Sequence, residues 1–372
     1  MTVATARRRP LIVVEPLHQG HRMMYFAALA EHLLARGVGV TLATSRAGLE
    51  SPDLALRLGG AGARIGRIDI GPAETLSGTA FVARVVRVVV DLQARHPDSD
   101  VLVTEGDKFL PAALAAAGRI DWRRLRVLVM RAPRPRRRVR ALVQDAVKVA
   151  SMELATRLGA DVRVLEQATP VRTSYRRGRW RSVPDPVDVA DLAELTRVPP
   201  ELGGVADDRR WLGVLGHVSP RKNLDLVLEA ARFAGADGFG VLVAGRVEPG
   251  EWERCADTVA AFDAAGGRLL VVDRLLADAE LDACVAWVDA VVLAHSSEGP
   301  SGILGKAVAL GTPVVAAGAQ SLRDEVERLG SGTWAPLRAP DIAAALHPGA
   351  PTERRPVALA GSADFARALL EG

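Results

Sequence analysis

The sequence predicts an α/β protein built from two doubly wound parallel-sheet domains that face each other across a central cleft. The chain has 372 residues, more than a single hydrophobic core usually holds, which predicts two domains. Short apolar runs alternate with helix-length amphipathic segments, the pattern of parallel strands joined by right-handed crossover helices. The apolar residues are mostly Ala, Val and Leu, and aromatic residues make up only 4% of the chain, which suits helices packed on a buried parallel sheet.

Each half of the chain contains a series of predicted strands separated by helix-length segments. In the first half we predict strands at residues 11–16, 38–45, 64–70, 101–106, 126–131 and 162–167. In the second half we predict strands at residues 211–217, 240–245, 269–273, 290–295 and 313–318. The helical segment 23–37 ends at Gly37, a residue type that commonly terminates helices.

The two halves are separated by a segment of different composition. Residues 168–210 are rich in Arg, Pro, Gly and Asp. Within this segment, Pro184 and Pro186 remove backbone donors and cannot continue a helix or a central strand. We therefore expect a hinge at these prolines, with an N-terminal domain over 1–187 and a C-terminal domain over 188–360.

Composition and charge argue against several classes of protein. The formal net charge is +4, from 48 Lys and Arg against 44 Asp and Glu, an excess too small to indicate nucleic-acid binding by itself. The two cysteines, Cys255 and Cys284, are too few for a disulfide framework and are typical of a reducing cytoplasm. The first apolar run is interrupted at Glu15, so it predicts a strand rather than a signal peptide. No segment approaches the roughly 20 apolar residues that span a bilayer.

The loop after the strand at 211–217 carries a candidate anion site. The polar residues there are His217, Ser219, Arg221, Lys222 and Asn223. Two adjacent cations, Arg221 and Lys222, beside a helix N-terminus are suited to binding a diphosphate. Ser219 or Asn223 is available to cap the helix. The alternative is a solvated basic turn.

A second candidate loop, residues 296–301, follows the strand at 290–295. Ser301 is placed to cap the next helix, Gly302 lets a ligand approach the backbone, and the N–H groups that begin the helix can bind an anionic oxygen. Glu298 can accept hydrogen bonds from sugar hydroxyl groups. The alternative is an ordinary turn with an exposed glutamate, and a pair of anion sites on two successive loops favours the functional interpretation.

Residues 183–335 resemble the C-terminal, donor-binding domain of the retaining GT-B glycosyltransferases of family 4. The matching pieces are VPDPVD at 183–188, GHVSPRKNLDLVLEAA at 216–231, VLVAG at 241–245 and LLADAELDACVAWVDAVVLAHSSEGPSGILGKAVALGTPVVAAG at 275–318. The resemblance implies two Rossmann-like domains that transfer a hexose-type unit from a nucleotide-diphosphate sugar to an acceptor hydroxyl group. It further implies retention of configuration and catalysis without a metal ion or other cofactor.

The resemblance also implies roles for individual residues. Arg221 and Lys222 would hold the donor diphosphate and stabilise it as it leaves. The backbone amides of Gly302 and Ile303 would hold a phosphate, and Glu298 would contact the donor sugar. The remaining residues assigned to the donor site are His217, Ser219, Ser301 and Lys306.

Lys306 departs from the family pattern. The family usually has a second glutamate eight residues after the first, where it holds the ribose, and Lys306 occupies that position here. A lysine cannot accept hydrogen bonds from paired hydroxyl groups. Three explanations stay open: Lys306 binds a phosphate oxygen, it forms an ion pair within its domain, or it marks a non-catalytic relative that has lost donor binding. The family's usual glycine three residues after the first glutamate is also replaced, by Ser301.

The first half resembles the family more weakly, as expected of a domain that varies with the acceptor. The first strand leads into His18, Gly20 and His21, where many family members have a glycine-rich loop. The two histidines, together with Gln19 and Arg22, are candidates for contact with the acceptor or a phosphate. The fourth strand leads into Glu105, Asp107 and Lys108, which we expect to bind hydroxyl or amino groups of the acceptor. Incidental histidines and a solvated helix start are the alternatives, and no spacing typical of metal ligands is present.

A basic run precedes a helical segment in the first half. Its members are Arg134, Arg136, Arg137, Arg138 and Arg140. Some relatives dock on anionic membranes through such a patch. We favour a solvated face or contact with an anionic acceptor over peripheral membrane contact, because the helix is expected to lack large exposed apolar residues. Nucleic acid is disfavoured because no aromatic stacking platform accompanies the charge.

Two rival functions stay open. A sugar-nucleotide epimerase of the same fold would need acid and base groups, for which His18, His21 and Glu105 are the candidates. A non-catalytic relative would bind a nucleotide sugar or a partner without turnover. The Ala- and Arg-rich composition is typical of high-GC bacteria, where such enzymes often modify secondary metabolites, glycans or glycolipids. The final helix, 361–372, is expected to pack on the N-terminal domain, as in relatives.

Overall fold

The computed structural model describes most of the chain. The described residues are 9–18, 22–73, 75–130, 139–166, 180–205, 208–298, 301–346 and 355–371, without the side chains of 139–142, 166 and 192. They divide into two compact units. Unit 1 consists of Met1–Pro186 together with Ala360–Gly372, and unit 2 is Val187–Leu359. The division falls one residue from the predicted boundary at 187.

Unit 1 is built around a parallel sheet of seven strands in the order β3-β2-β1-β4-β5-β6-β7. The strands are β1 Leu11–Val14, β2 Val40–Thr44, β3 Gly66–Asp69, β4 Asp100–Val103, β5 Leu125–Val129, β6 Asp161–Glu166 and β7 Arg181–Pro184. The helices between them are α1 Arg22–Leu34, α2 Arg46–Leu49, α3 Pro52–Leu58, α4 Gly78–Arg95, α5 Gly106–Ala115 and α6 Val139–Leu158. Apolar side chains of the central strands fill a core on each face of the sheet.

Unit 2 repeats the same plan with six parallel strands in the order β10-β9-β8-β11-β12-β13. The strands are β8 Arg210–Leu215, β9 Phe239–Ala244, β10 Arg268–Val272, β11 Ala290–His295, β12 Val314–Gly318 and β13 Gly332–Ala335. The helices are α7 Leu192–Leu195, α8 Leu224–Phe233, α9 Glu251–Ala264, α10 Asp278–Trp287, α11 Gly302–Leu310, α12 Gln320–Leu329 and α13 Ala339–Ala345. Each unit is therefore a doubly wound sheet, as the sequence predicts.

The last helix, α14 Ser362–Leu370, belongs to unit 1. The ring of Phe365 stacks on that of Tyr25 in α1, with centroids 5.1 Å apart. Arg163 in β6 donates a hydrogen bond to the carbonyl of Ala368 over 3.0 Å. Tyr25 also donates its hydroxyl hydrogen to Asp185 over 2.8 Å. The residues that follow β7 and the final helix are thus anchored on the same face of α1.

All eleven predicted strands are present, and two strands were not predicted. β7 lies within the segment 168–210 that separates the two halves of the sequence. It is at the edge of its sheet and has Pro184 as its last residue, where a missing N–H donor is tolerated. β13 is also an edge strand and has only four residues, GTWA. Short edge strands carry too few apolar positions to show a periodic pattern.

The expectation that the helix after the basic run lacks exposed apolar residues is wrong. Val143, Val147, Leu154 and Leu158 of α6 are between 40% and 58% exposed, and their spacing places them along one stripe of the helix. The run Arg134–Arg138 lies outside the described residues, as does the Arg140 side chain. Within the described chain, no helix has both the length and the apolar character needed to cross a bilayer.

Candidate functional site

The strand order of unit 2 reverses between β8 and β11, and this is where the two predicted anion loops meet. In doubly wound sheets, ligands bind beyond the carboxyl ends of the two strands at such a reversal. The loop after β8 comprises residues 216–223, and the loop after β11 comprises residues 296–301, of which 299 and 300 are not among the described residues. The composition of both loops predicts anion binding, and the topology places the loops side by side.

Gly216 allows these loops to approach closely. Its φ is +80°, in the left-handed region that favours glycine. A methyl group added at this position would lie 3.2 Å from Cδ1 of Ile303 and 3.5 Å from Nζ of Lys222. Gly216 therefore marks the point where the Lys222 ammonium and the first turn of α11 come together.

Lys222 is a buried cation, only 7% exposed, at the end of the short 3-10 turn Pro220–Lys222. Its Nζ donates a hydrogen bond to the carbonyl of Leu215, the last residue of β8. Burial, and then the positive charge of Arg221, lower the pKa of Lys222 to about 7. An anion bound beside Lys222 would favour its charged form, so the site is electrostatically suited to phosphate.

Arg221 contacts a buried histidine from the neighbouring strand. Nη1 of Arg221 lies 3.0 Å from Nδ1 of His295, the last residue of β11. His295 is 1% exposed, and burial, followed by the charges of Arg221 and Lys222, lowers its pKa to about 3. The imidazole is therefore neutral at physiological pH and accepts a hydrogen bond from the guanidinium group.

Asn223 ties the two loops together. It adopts a left-handed conformation with φ of +47°, and its Nδ2 donates to the carbonyls of Arg221 (2.9 Å) and Ala294 (2.8 Å). The N–H of Ser296 donates to the same Arg221 carbonyl over 3.0 Å. The expectation that the side chain of Asn223 or Ser219 caps a helix is wrong, because neither forms a capping hydrogen bond and Asn223 is used between the loops instead.

The first turn of α11 completes the candidate anion site. Ser301 is its N-cap, and Oγ of Ser301 accepts a hydrogen bond from the N–H of Leu304 over 3.4 Å, which confirms the predicted cap. The N–H groups of Gly302 and Ile303 belong to the first turn, where no intrahelical carbonyl can accept them. They are the groups through which a helix N-terminus binds phosphate.

Glu298 accepts hydrogen bonds from a helix rather than from solvent alone. Its two carboxylate oxygens accept from the N–H groups of Gln320 (2.8 Å) and Ser321 (2.9 Å) at the start of α12. A carboxylate at a helix N-terminus is favoured by the helix dipole. The structure thus gives Glu298 a role in fixing its loop, and its contact with a sugar stays a prediction.

Lys306 lies in an ion pair within unit 2, the second of the three explanations. Its Nζ is 2.5 Å from Oδ1 of Asp282 in α10 and donates to the carbonyl of Asp188 over 3.0 Å. Asp282 also accepts from the N–H of Ala190 over 2.9 Å. Burial raises the pKa of Asp282 while Lys306 lowers it. The pair joins α10 and α11 to the first residues of unit 2.

The two remaining predicted donor residues lie on the loop after β8. His217 is exposed and Ser219 is half-buried. The loop thus brings His217, Ser219, Arg221 and Lys222 into one segment, and α11 adds Ser301, Gly302 and Ile303. Lys306 points away from this group, toward α10.

Unit 1 has its own strand-order reversal, between β1 and β4, and a charged network lies there. Glu15 and Glu105 are 1% and 5% exposed, and Arg22 at the start of α1 contacts both carboxylates, the first at 3.1 Å. Oγ1 of Thr104 donates to Glu15 over 2.6 Å. Burial raises the pKa of Glu15, and the charge of Glu105 adds to this effect.

The other predicted residues of unit 1 have separate surroundings. Asp107 accepts a hydrogen bond from the N–H of Met130 over 2.9 Å and pairs with Lys148 of α6. Lys108 lies 3.5 Å from Glu105. Nδ1 of His18 is buried and has no hydrogen-bond partner within the described chain. Gly20 and His21 lie outside the described residues.

Two residues of the two networks were missed by sequence reasoning: Glu15 and His295. Glu15 and His295 each follow or end an apolar strand run, and a polar residue at the carboxyl end of a strand was a usable signal. Arg22 was a predicted candidate for acceptor or phosphate contact, but the sequence alone does not show its carboxylate partners, Glu15 and Glu105.

No protein-family model matches the sequence, and no curated protein matches it. Solved structures do share its architecture. A sucrose-phosphate synthase from Thermosynechococcus elongatus covers 91% of this chain and 89% of its own, at 19% identity and a TM-score of 0.65. Anabaena HepE in complex with UDP covers 90% and 88%, at 15% identity and a TM-score of 0.60.

A third similar structure comes from Listeria monocytogenes and is provisionally named a UDP-N-acetylglucosamine 2-epimerase. It covers 97% of this chain and 94% of its own, at 14% identity and a TM-score of 0.61. At such identities the likeness concerns the fold. The chain has two parallel-sheet α/β domains, the GT-B fold, as the sequence predicts.

Proposed function

We propose that this protein is a glycosyltransferase that moves a sugar from a nucleotide-diphosphate sugar to an acceptor hydroxyl group. The observation that carries the proposal is the approach of Lys222 to the first turn of α11 at Gly216, with Arg221 adjacent to Lys222 on the same loop. Two cations and the free amides of a helix N-terminus at a strand-order reversal are suited to a diphosphate. The solved complexes of HepE with UDP and with UDP-glucose support the same donor class.

The proposed chemistry is electrostatic stabilisation of the leaving diphosphate. Lys222 and Arg221 supply positive charge, and the amides of Gly302 and Ile303 donate to phosphate oxygens, all in fixed positions before the reaction. Glu298 orients the loop that meets the donor sugar. We further propose retention of configuration, as in family 4, without a metal ion, and we assign acceptor binding to unit 1 around Glu105.

In this proposal, Lys306 is not the ribose ligand. Its ammonium is engaged by Asp282 and by the carbonyl of Asp188. Where the family's glutamate would bind the ribose, Lys306 instead forms an ion pair that links α11 to α10, so the ribose is bound by other groups. A Lys306→Glu change would place a carboxylate beside Asp282, and like-charge repulsion would destabilise unit 2.

The proposal is tested first by ligand-dependent thermal unfolding. Wild-type protein is heated with a panel of nucleoside diphosphates and their sugars, since a ligand at about 100 times its Kd stabilises the native state by about 2.7 kcal/mol. We expect one base to raise the Tm, and the Arg221→Ala/Lys222→Ala variant to lose the shift. A transfer assay with that sugar nucleotide, with and without EDTA, then tests turnover and independence from metal.

A matched control removes the same charge elsewhere in unit 2. Arg323 and Arg338 have side chains 43% and 72% exposed, in surface pairs that contribute little to stability. The Arg323→Ala/Arg338→Ala variant should keep the nucleotide shift. Equal loss in both double variants, or no shift with any nucleotide in wild type, would overturn the donor-site assignment.

An epimerase is the second candidate, favoured by the buried carboxylates Glu15 and Glu105 in unit 1 and by the Listeria structure. Such groups are suited to moving protons on a sugar. Incubation of the identified sugar nucleotide with the protein alone distinguishes the two. An epimerase would change the sugar's configuration without an acceptor, whereas a transferase would leave the sugar nucleotide intact apart from slow hydrolysis.

A further inference from the structure

His295 combines full burial, an unusual partner and an unused hydrogen-bonding atom. His295 is the last residue of β11, at the strand-order reversal of unit 2, and it is 1% exposed. Its Nδ1 lies 3.0 Å from Nη1 of Arg221. Its Nε2 is buried and has no hydrogen-bond partner among the residues that the structure describes.

The contact with Arg221 fixes the protonation of the ring. A guanidinium group has donors only, so Nδ1 must accept the hydrogen bond and cannot carry a proton. The remaining ring proton therefore lies on Nε2. The charges that face His295 are those of Arg221 and Lys222, and both disfavour a second proton on the ring.

We propose that His295 is a positioning residue of the unit 2 anion site: its neutral imidazole orients the Arg221 guanidinium without cancelling the positive charge. The carbonyl of Arg221 is held by Asn223 and Ser296, which fixes the backbone, and the imidazole fixes the side chain. This inference rests on the proposed function, because it assumes that the site binds a diphosphate.

The choice of a neutral acceptor has a physical consequence. A carboxylate at this position would orient Arg221 as well, but it would form an ion pair and reduce the positive potential offered to phosphate. An aliphatic side chain would leave the guanidinium without this acceptor. A buried N–H without a partner, such as Nε2–H, is unfavourable for stability and needs an explanation, which the orientation of Arg221 by Nδ1 supplies.

Three variants of the full chain separate these effects, with inorganic pyrophosphate as a probe that needs no knowledge of the base. His295→Asn keeps a neutral acceptor. His295→Asp has the shape of the asparagine variant but carries a negative charge, and His295→Leu has no acceptor. We expect pyrophosphate Kd values by calorimetry at pH 7.5 within about 3-fold of wild type for Asn, about 10-fold weaker for Leu and at least about 30-fold weaker for Asp.

Imidazole ¹⁵N NMR gives a second measurement, the protonation state of each ring nitrogen of His295. A purely structural role would not require the proton to lie on Nε2. We expect Nδ1 to be unprotonated and Nε2 protonated from pH 5.5 to 8. If the Asp variant does not fold, as judged by its unfolding transition, the Leu variant and the NMR signals decide the test.

The failures of the two proposals are distinguishable. If wild type binds neither pyrophosphate nor any nucleotide, the donor site and the role of His295 are both overturned. If wild type binds pyrophosphate but His295→Asp and His295→Leu bind it as tightly as His295→Asn does, only the role of His295 is overturned. A proton on Nδ1 would also overturn it.

Discussion

At the residue scale, the candidate donor site depends on Lys222, a lysine whose burial lowers the stability of the native protein. Lys222 is buried, and its pKa is lowered to about 7 from an ordinary value of 10.5. Between these two pH values the unfolded chain binds more protons than the native protein, so native stability rises with pH in this window. The unfavourable burial is fully present below pH 7 and disappears as the pH approaches 10.5.

Replacement of Lys222 by methionine should therefore stabilise the protein while removing ligand binding. We expect Lys222→Met to raise the free energy of unfolding at pH 6 by about 1–3 kcal/mol, after allowance for the lost hydrogen bond to Leu215. The gain should shrink at pH 9. Urea unfolding at both pH values measures it, and a variant less stable than wild type at pH 6 would contradict the argument.

Asp185 shows the opposite sign of the same effect in unit 1. Burial raises its pKa to about 6, although the hydrogen bond from Tyr25 lowers it. Here the native state binds more protons than the unfolded chain between pH 3.8 and 6, so the unfavourable charge is present above pH 6 and absent below 3.8.

The Asp185→Asn variant keeps the acceptor for Tyr25 and removes the charge. We expect it to be more stable than wild type by roughly 2 kcal/mol at pH 8 and nearly equal to wild type at pH 4. Tyr25→Phe is the matched control, because it leaves the carboxylate without its donor and should be destabilising at pH 8. Equal stability of Asp185→Asn and wild type at both pH values would show that the carboxylate is solvated.

At the element scale, a comparison of alanine variants at Gly216 and Gly250 distinguishes the effect of backbone strain from that of steric crowding. Both have positive φ, +80° and +84°, but only at Gly216 would a methyl group meet other atoms within 4 Å. We expect each alanine variant to lose about 1 kcal/mol from the left-handed backbone. Gly216→Ala should in addition weaken pyrophosphate binding, because the methyl group displaces Ile303 or Lys222. Denaturant unfolding and calorimetry on both variants check this, and equal affinities would argue against the assembly of the site around Gly216.

The elements show how much could be predicted from sequence. Long apolar runs such as β8 and β11 and the cap at Ser301 were predictable, because burial and capping leave local patterns. The edge strands β7 and β13 could not be predicted, because short strands paired on one side only show little apolar periodicity in the sequence. Partners were also hidden: nothing local showed that Glu298 would cap α12 or that Lys306 would pair with Asp282 of α10.

At the scale of the whole molecule, each unit places polar side chains at its own strand-order reversal. The topology decides this, since β1 and β4 in unit 1 and β8 and β11 in unit 2 are neighbours in space but distant in sequence. The loops of unit 2 could be predicted from their composition, and the family resemblance then implied roles for their residues. In unit 1, Glu105 and Arg22 were candidates but Glu15 was not, and their contact was not predicted because the network forms only when the sheet is assembled.

Removal of residues 360–372 should destabilise unit 1 and leave unit 2 unchanged. Phe365, Ala366 and Leu369 are fully buried in the unit 1 core, and their loss would expose that core to water. We expect a truncated chain to show rapid hydrogen exchange in α1 and native protection in β8 and β11. Uniform loss of protection in both units would contradict the expectation that α14 stabilises unit 1 alone.

The return of α14 to unit 1 makes unit 2 an insertion within it. A ribosome therefore completes unit 2 before unit 1 has received all of its core. Domains generally fold as units during synthesis. Unit 2 can therefore fold before unit 1 is complete, and the apolar face of α1 that α14 covers stays exposed until then. A chaperone would therefore be most useful to unit 1 while residues 187–372 are being synthesised.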